Sequence, residues 1–199
     1  MPPTIDILCH AESRDSFEPN GEMLRDPSLT VGGEYEAERL GMSFPHMSQV
    51  KRIISSPMRR AIETATRTFK LLINQQDIKV VLVPELQECS SKPSDMGSPV
   101  PELRGEFGFA LDLGLLSDGW WYKDVSARDQ IKIAERARQA RLYIRGVARQ
   151  LGDDDHIVVV THREFITHLI QSEPRFRNLE FRGYQFVDVF GGDDQAFLA

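Results

Sequence analysis

The sequence predicts a three-layer α/β/α fold, a doubly wound and mostly parallel sheet in a single domain over residues 1–199 with an irregular lid inserted at about 87–124. Three observations lead there. Short apolar runs read as buried strands, and most are followed by a stretch with helical spacing. Strand–helix alternation of this kind builds a parallel sheet with helices on both faces. A chain of 199 residues is also long enough to bury a sizeable core as one domain.

The elements follow in order. TIDILC (4–9) is a short apolar strand. The polar stretch after it, rich in turn formers, reads as a loop. Thr30 or a neighbour caps a helix over VGGEYEAERLGMSF, whose apolar face is carried by Tyr35, Ala37, Leu40 and Met42. VKRIISS (50–56) is the second strand, and Pro57 opens the helix PMRRAIETATRTFKLLI. IKVVLVPEL (78–86) is the third strand. Residues 87–124 carry Pro93, Pro99, Pro101, several glycines and the cluster Trp120-Trp121-Tyr122, the pattern of a lid in which the aromatics pack. A long amphipathic helix spans 126–151, and an aspartate-rich turn precedes HIVVVTH (156–162), the most strand-like run of the chain. A helix starts near Arg163, and YQFVDVF (184–190) is the closing edge strand.

Composition narrows the function classes. Lys and Arg total 24 against 30 Asp and Glu, a net charge of −6. That balance argues against nucleic acid or an anionic membrane as partner. No apolar run approaches the ~20 residues of a membrane span, and the first residues lack the features of a signal peptide. With two cysteines, Cys9 and Cys89, no disulfide framework is expected, so a reducing, cytoplasmic setting is expected. Oligomeric state is not legible.

In doubly wound sheets ligands bind outside the carboxyl ends of the strands. Those ends deliver His10, then Ser55-Ser56 with Arg59-Arg60, then Glu88 and Cys89, then His162. Taken singly, His10 and His162 are ordinary strand-end histidines, Arg59 and Arg60 a solvated helix face, and Glu88 a surface acid. Cys9 reads as a small buried hydrophobe. A thiolate nucleophile or zinc ligand is the minor alternative, because Cys-x-x-Cys spacing is absent. His46, His156 and His168 have no motif support and read as structural.

Taken together, CHAES, SSPMRRAIETA, LQE and VVVTH resemble the histidine phosphatase (phosphoglycerate mutase-like) superfamily. Its pattern is Arg-His-Gly-Glu after the first strand, Ser-Pro-Leu-x-Arg-Ala-x-x-Thr-Ala, a glutamate in an insertion, and a histidine after a late apolar strand. DPSLTVGGEYEAERLG (26–41) and NLEFRGYQF (178–186) resemble further segments, the latter that of fungal members. The resemblance implies His10 as nucleophile, Arg60 and His162 around the phosphoryl oxygens, and Glu88 as proton donor, with no cofactor and no metal. The expected reaction is hydrolysis of a small phosphorylated metabolite through a phosphohistidine, with mutase chemistry disfavoured by the short insertion.

The departures from the pattern fall in the phosphate pocket. Cys9 stands at the first arginine, Ser16 at the usual asparagine, and Arg163 at the glycine after the second histidine. A guanidinium offers phosphate a planar fork of donors that a thiol does not. Losing one oxyanion donor costs roughly 3–4 kcal/mol. Arg163 is expected either to restore that charge or to face solvent, and Arg59 to face solvent. Two other readings follow from the departures: acid–base chemistry on a non-phosphorylated metabolite, and a non-catalytic assembly domain.

Overall fold

The computed structural model describes residues 2–173 and 175–199. Six strands form one sheet in the order β4-β3-β2-β5-β1-β6. They are β1 Thr4–Cys9, β2 Val50–Ser55, β3 Val80–Leu82, β4 Leu111–Asp112, β5 His156–Thr161 and β6 Phe181–Tyr184. All neighbours are parallel except β6, which runs antiparallel to β1 with Ile5 opposite Tyr184 and Leu8 opposite Phe181. Seven α-helices are described: α1 Arg14–Phe17, α2 Val31–Ser43, α3 Arg59–Thr68, α4 Lys70–Gln76, α5 Val100–Phe107, α6 Gln130–Ala148 and α7 Arg163–Leu169. None is long and apolar enough to cross a membrane.

The period-two alternation of the strands divides the core into two layers. Ile5, Ile7, Cys9, Ile157 and Val159 pack with Ile133, Ala137, Ala140 and Ile144 of α6 and with Phe165, Ile166 and Leu169 of α7. The spacing of the α6 set at four, three and four residues marks one helix face. On the other side Leu8, Ile53, Val158 and Val160 meet Ala61, Ile62 and Ala65 of α3, with Phe69 and Leu72 beyond.

Several expectations are corrected. The third strand is only Val80–Leu82, because Pro84 has no N–H to extend the ladder and opens a 3-10 turn. The edge strand is Phe181–Tyr184, upstream of the expected run. Beyond it the chain folds back on itself, with Gln185 and Ala199 exchanging backbone hydrogen bonds and Val187 N–H donating to the Phe197 carbonyl. The helix expected from Pro57 to Ile73 is two helices, α3 and α4, parted at Phe69. The 87–124 segment is less irregular than expected: it contributes α5 and the edge strand β4. Trp120 packs inward as expected, against Gly97, where a Cβ would stand 2.1 Å from the indole.

The expected loop after β1 contains the single turn α1. The cap of α2 is as expected, with Thr30 Oγ1 accepting from Gly33 N–H. The face of α2 is not: Gly33 and Ala37 are buried, whereas Tyr35 is 62% and Met42 85% exposed.

Candidate active site

The carboxyl ends of β1, β2 and β5 open into a cleft of about 1020 Å³. Cys9, His10, Ser16, Arg60, Glu88 and Arg163 all line it, as do Cys89, Ser94 and Asp95. His162 lies behind His10, fully buried, with ring centroids 5.1 Å apart. His10, Arg60, Glu88 and Cys89, delivered by different strand ends, thus share one cleft, whereas Arg59 does not line it.

His10 is fixed from three directions. Its backbone N–H donates to the Thr161 carbonyl of β5. Its Nδ1 lies 2.7 Å from the Ala11 carbonyl, so Nδ1 carries the proton and Nε2 keeps a free lone pair. Ala11 N–H in turn donates to Thr64 Oγ1 of α3, and that hydroxyl donates to the Arg60 carbonyl. Burial, then the nearby Arg60 guanidinium, lower the His10 pKa to about 4, so the ring is neutral at pH 7. The loop is clamped from outside by Gly33, where a Cβ would stand 2.2 Å from the Glu12 carbonyl oxygen.

Arg60, in the first turn of α3, is 2% exposed. It donates to the Ser94 carbonyl at 2.7 Å and to Asp95 Oδ1 at 2.8 Å, while Ser90 Oγ donates to Asp95 Oδ2. Arg60 Nε is buried without a partner, and so is His162 Nδ1. His162 Nε2 lies 2.8 Å from Ser56 Oγ. Burial and the Arg60 charge hold the His162 pKa well below the usual histidine range.

Glu88 sits on the turn after β3, its Oε1 accepting from its neighbour Cys89 N–H and, at 3.2 Å, from Phe165 N–H of α7. The backbone there is pinned by Lys123 Nζ on the Glu88 carbonyl at 2.7 Å and by Arg136 on the carbonyls of Gln87 and Glu88. Burial, followed by the negative Asp95 and Glu164, raises the Glu88 carboxyl above its ordinary value. Such a group keeps its proton to higher pH and suits the role of a general acid.

Cys9 is 1% exposed and belongs to the apolar core beneath the cleft. Burial pushes its thiol up to about 12 against the lowering effect of Arg163, and burial raises Cys89 as well. Neither is a thiolate at neutral pH. Ser16 is exposed on α1 at the cleft mouth. Arg163, exposed at the start of α7, donates to Asn178 Oδ1 at 3.1 Å and acts electrostatically on both Cys9 and His10. Arg59 does not face solvent freely: it is 19% exposed and grouped with Asp26, Glu102 and Glu106.

Sequence reasoning missed Asp95 and Ser94, which hold the Arg60 fork, and Lys123 and Arg136, which fix the Glu88 backbone. The proline-opened turn Pro93-Ser94-Asp95 was the one local signal of the first pair.

The sequence model of the Histidine phosphatase superfamily (branch 1) matches residues 5–183. The chain belongs to the histidine phosphatase superfamily. Within the curated proteins, it is 30% identical over 106 residues to Probable phosphatase SPAC513.02 of Schizosaccharomyces pombe, a match covering 52% of this chain and 49% of that protein, so the chain spans about half the length of the relative it matches. Among solved structures, the ecdysone phosphate phosphatase of Bombix mori in complex with tungstate superposes with a TM-score of 0.70 at 16% identity, over 92% of this chain and 89% of that one. Phosphoserine phosphatase from Entamoeba histolytica, in complex with 3-phosphoglyceric acid, superposes with a TM-score of 0.57 at 19% identity, over 92% and 91%. At these identities the structural likeness shows the superfamily's α/β fold.

Proposed function

We propose that this histidine phosphatase superfamily member hydrolyses a phosphomonoester of a small metabolite through a phosphohistidine on His10. The observation that carries the reading is the state of three nitrogens at one crevice. His10 Nε2 is free and unprotonated, while Arg60 Nε and His162 Nδ1 are buried beside it without partners. Buried donors that no protein group satisfies suit the oxygens of a tetrahedral anion.

In the first step His10 Nε2 forms a bond to phosphorus, and the bond from phosphorus to the leaving oxygen breaks. Glu88 gives its proton to that oxygen, so the alcohol departs neutral. In the second step a water oxygen attacks phosphorus, Glu88 takes back a proton, and the P–N bond breaks to release phosphate. With Ser56 Oγ–H donating to His162 Nε2, His162 carries its proton on Nδ1 and donates to a phosphoryl oxygen alongside Arg60.

Cys9 occupies the place of the superfamily's first motif arginine, and Arg163, just past the neighbouring strand β5, supplies charge beside it. Arg163 is exposed and donates to Asn178, so the clamp is weaker than a paired-arginine one. Asp95 on Arg60 further reduces the net positive charge available to phosphate.

The test is acid quench with a radiolabelled phosphomonoester. Label is expected on His10, and His10→Ala is expected to abolish both label and turnover. Robust hydrolysis by the alanine variant removes the mechanism.

A further inference from the structure

At the other end of the sheet lies a second cluster of donor groups that the phosphoryl chemistry does not use. Asp6 stands in the middle of β1, an acid inside an otherwise apolar strand, and it is 1% exposed. His156 opens β5 on the same face and is also buried, with Nδ1 2.6 Å from Asp6 Oδ2. His46, half-buried in the connection between α2 and β2, stacks on His156 with ring centroids 4.3 Å apart and planes within 17°. Phe44 closes one side of His46 edge-on. Opposite Asp6 on β6 is Gly183, which leaves the Asp6 carboxylate unobstructed on that flank.

One ligand atom from each of Asp6, His46 and His156 lies within 4.8 Å of the other two. We propose that Asp6, His46 and His156 form a binding site for a divalent transition-metal ion of the zinc type.

The donor set is chemically apt. Two imidazoles and one carboxylate suit zinc and its first-row neighbours, and an oxygen-seeking ion such as Mg²⁺ or Ca²⁺ would find one oxygen among two nitrogens. Zinc–ligand bonds of ~2.0–2.2 Å put donor atoms about 3.4 Å apart in a tetrahedron. A closure of up to about 1.4 Å between the farthest pair, with the His156 Nδ1–Asp6 Oδ2 pair opening from 2.6 Å, therefore completes the set.

The closure has a defined mover. A metal lies in the plane of each imidazole it binds, so two nearly parallel stacked rings cannot share one. The backbones of Asp6 and His156 are fixed by the sheet, so their side chains adjust by rotation only, and His46, half-exposed on a connection, is the ring that turns. On binding, the hydrogen between His156 Nδ1 and Asp6 Oδ2 gives way to the ion, and the imidazole takes its Nε2–H tautomer. The fourth position stays open to water on the exposed side of His46.

Asp6 is four residues before His10, which follows the end of β1, ~13 Å away at the rise of a β-strand. The ion would act away from the phosphoryl site as a cross-link joining β1, β5 and the α2–β2 connection.

The test uses the full chain and Zn²⁺ or Co²⁺ alone, by calorimetry and by the visible absorption of tetrahedral Co²⁺. One ion per chain is expected. At a hundredfold excess over Kd the melting temperature is expected to rise by at least ~5 °C. His46→Ala should weaken binding by more than the ~10- to 100-fold typical of losing an outer-shell partner. His46→Phe keeps the aromatic stack without a ligand atom and should do the same in a folded chain. His10→Ala and Cys9→Ala/Cys89→Ala should bind unchanged, which separates this site from the cleft. No saturable binding, or binding that survives both His46 variants, overturns the proposal and leaves the cluster a hydrogen-bonded structural pair.

Discussion

At position 9 a neutral thiol forms the floor of the cleft that holds His10, Arg60, Glu88 and Arg163, with His162 behind them. Its effect can be measured directly. Cys9→Arg is expected to raise phosphomonoester hydrolysis by at least ~10-fold, short of the full ~100- to 1000-fold because the neighbours are packed around sulfur. Where Arg163 already fills the space, the gain moves to the Cys9→Arg/Arg163→Gly double variant. Folded variants with no gain show that the clamp is not limited at position 9. A second outcome follows from protonation. His10 must be neutral to attack and has a pKa of about 4, so kcat/KM rises as pH climbs through that value. Glu88 must be protonated to donate and its pKa is raised, so the rate falls as pH climbs through it. The expected profile is a bell whose acid limb lies near pH 4 and whose alkaline limb lies above the ordinary glutamate range, and Glu88→Gln should remove that alkaline limb. A profile unchanged by Glu88→Gln rules that residue out as the acid. His10, Arg60 and His162 were legible because each follows a strand or opens a helix, where topology dictates a shared crevice. Asp95 and Ser94 were not, since a residue that holds Arg60 from a proline-opened turn leaves no periodic trace.

Elements carried the same contrast. β1 and β5 were readable to within a residue because they are apolar on both faces, as central parallel strands must be. The helix α2 was readable from its cap, but its orientation was not. Tyr35 and Met42 suggested the inward face, whereas contact with the His10 loop is made by Gly33 and Ala37, residues whose small size brings two backbones together. A glycine is a weak signal for helix and a strong one for close approach. Gly33→Ala tests this: the new Cβ would meet the Glu12 carbonyl at 2.2 Å. Displacing α2 should destabilise the fold by about 1–3 kcal/mol, the usual range for overpacking. Because Glu12 is two residues from His10, turnover should fall along with the melting temperature. A variant with native stability and activity shows that the loop can yield at no cost.

The whole molecule is closed by a column of arginines. Arg138, Arg141 and Arg145 of α6 and Arg149 at its C-cap lie three and four residues apart and donate to the returning segment: Asp194, Gln195, Asp193, and Val189 with Gly191. Arg141 is 2% exposed and has carbonyls as its hydrogen-bond partners, also those of His168 and Leu169. Deleting residues 193–199 would strip acceptors from three of the four. Leaving buried charge without its partners costs about 3–5 kcal/mol, so the melting temperature is expected to drop by ~6 °C or more. A drop under ~2 °C would show that water replaces the segment. Periodicity revealed α6 but not this use of it, because an arginine that donates to carbonyls looks, in sequence, like one that faces solvent.

The strand order also sets a timetable for synthesis. β1 pairs with β5 on one edge and β6 on the other, so the earliest strand made waits for two of the latest. At ~5–20 residues per second, the interval between residues 9 and 161 is roughly 10–30 s on the ribosome. Through that time Ile5, Ile7 and Leu8 sit on a strand with both edges open to any other chain. Nascent chains halted before β5 are therefore the aggregation-prone species of this protein, and a circular permutant beginning at β2 and placing β1 after β6 would shorten the wait.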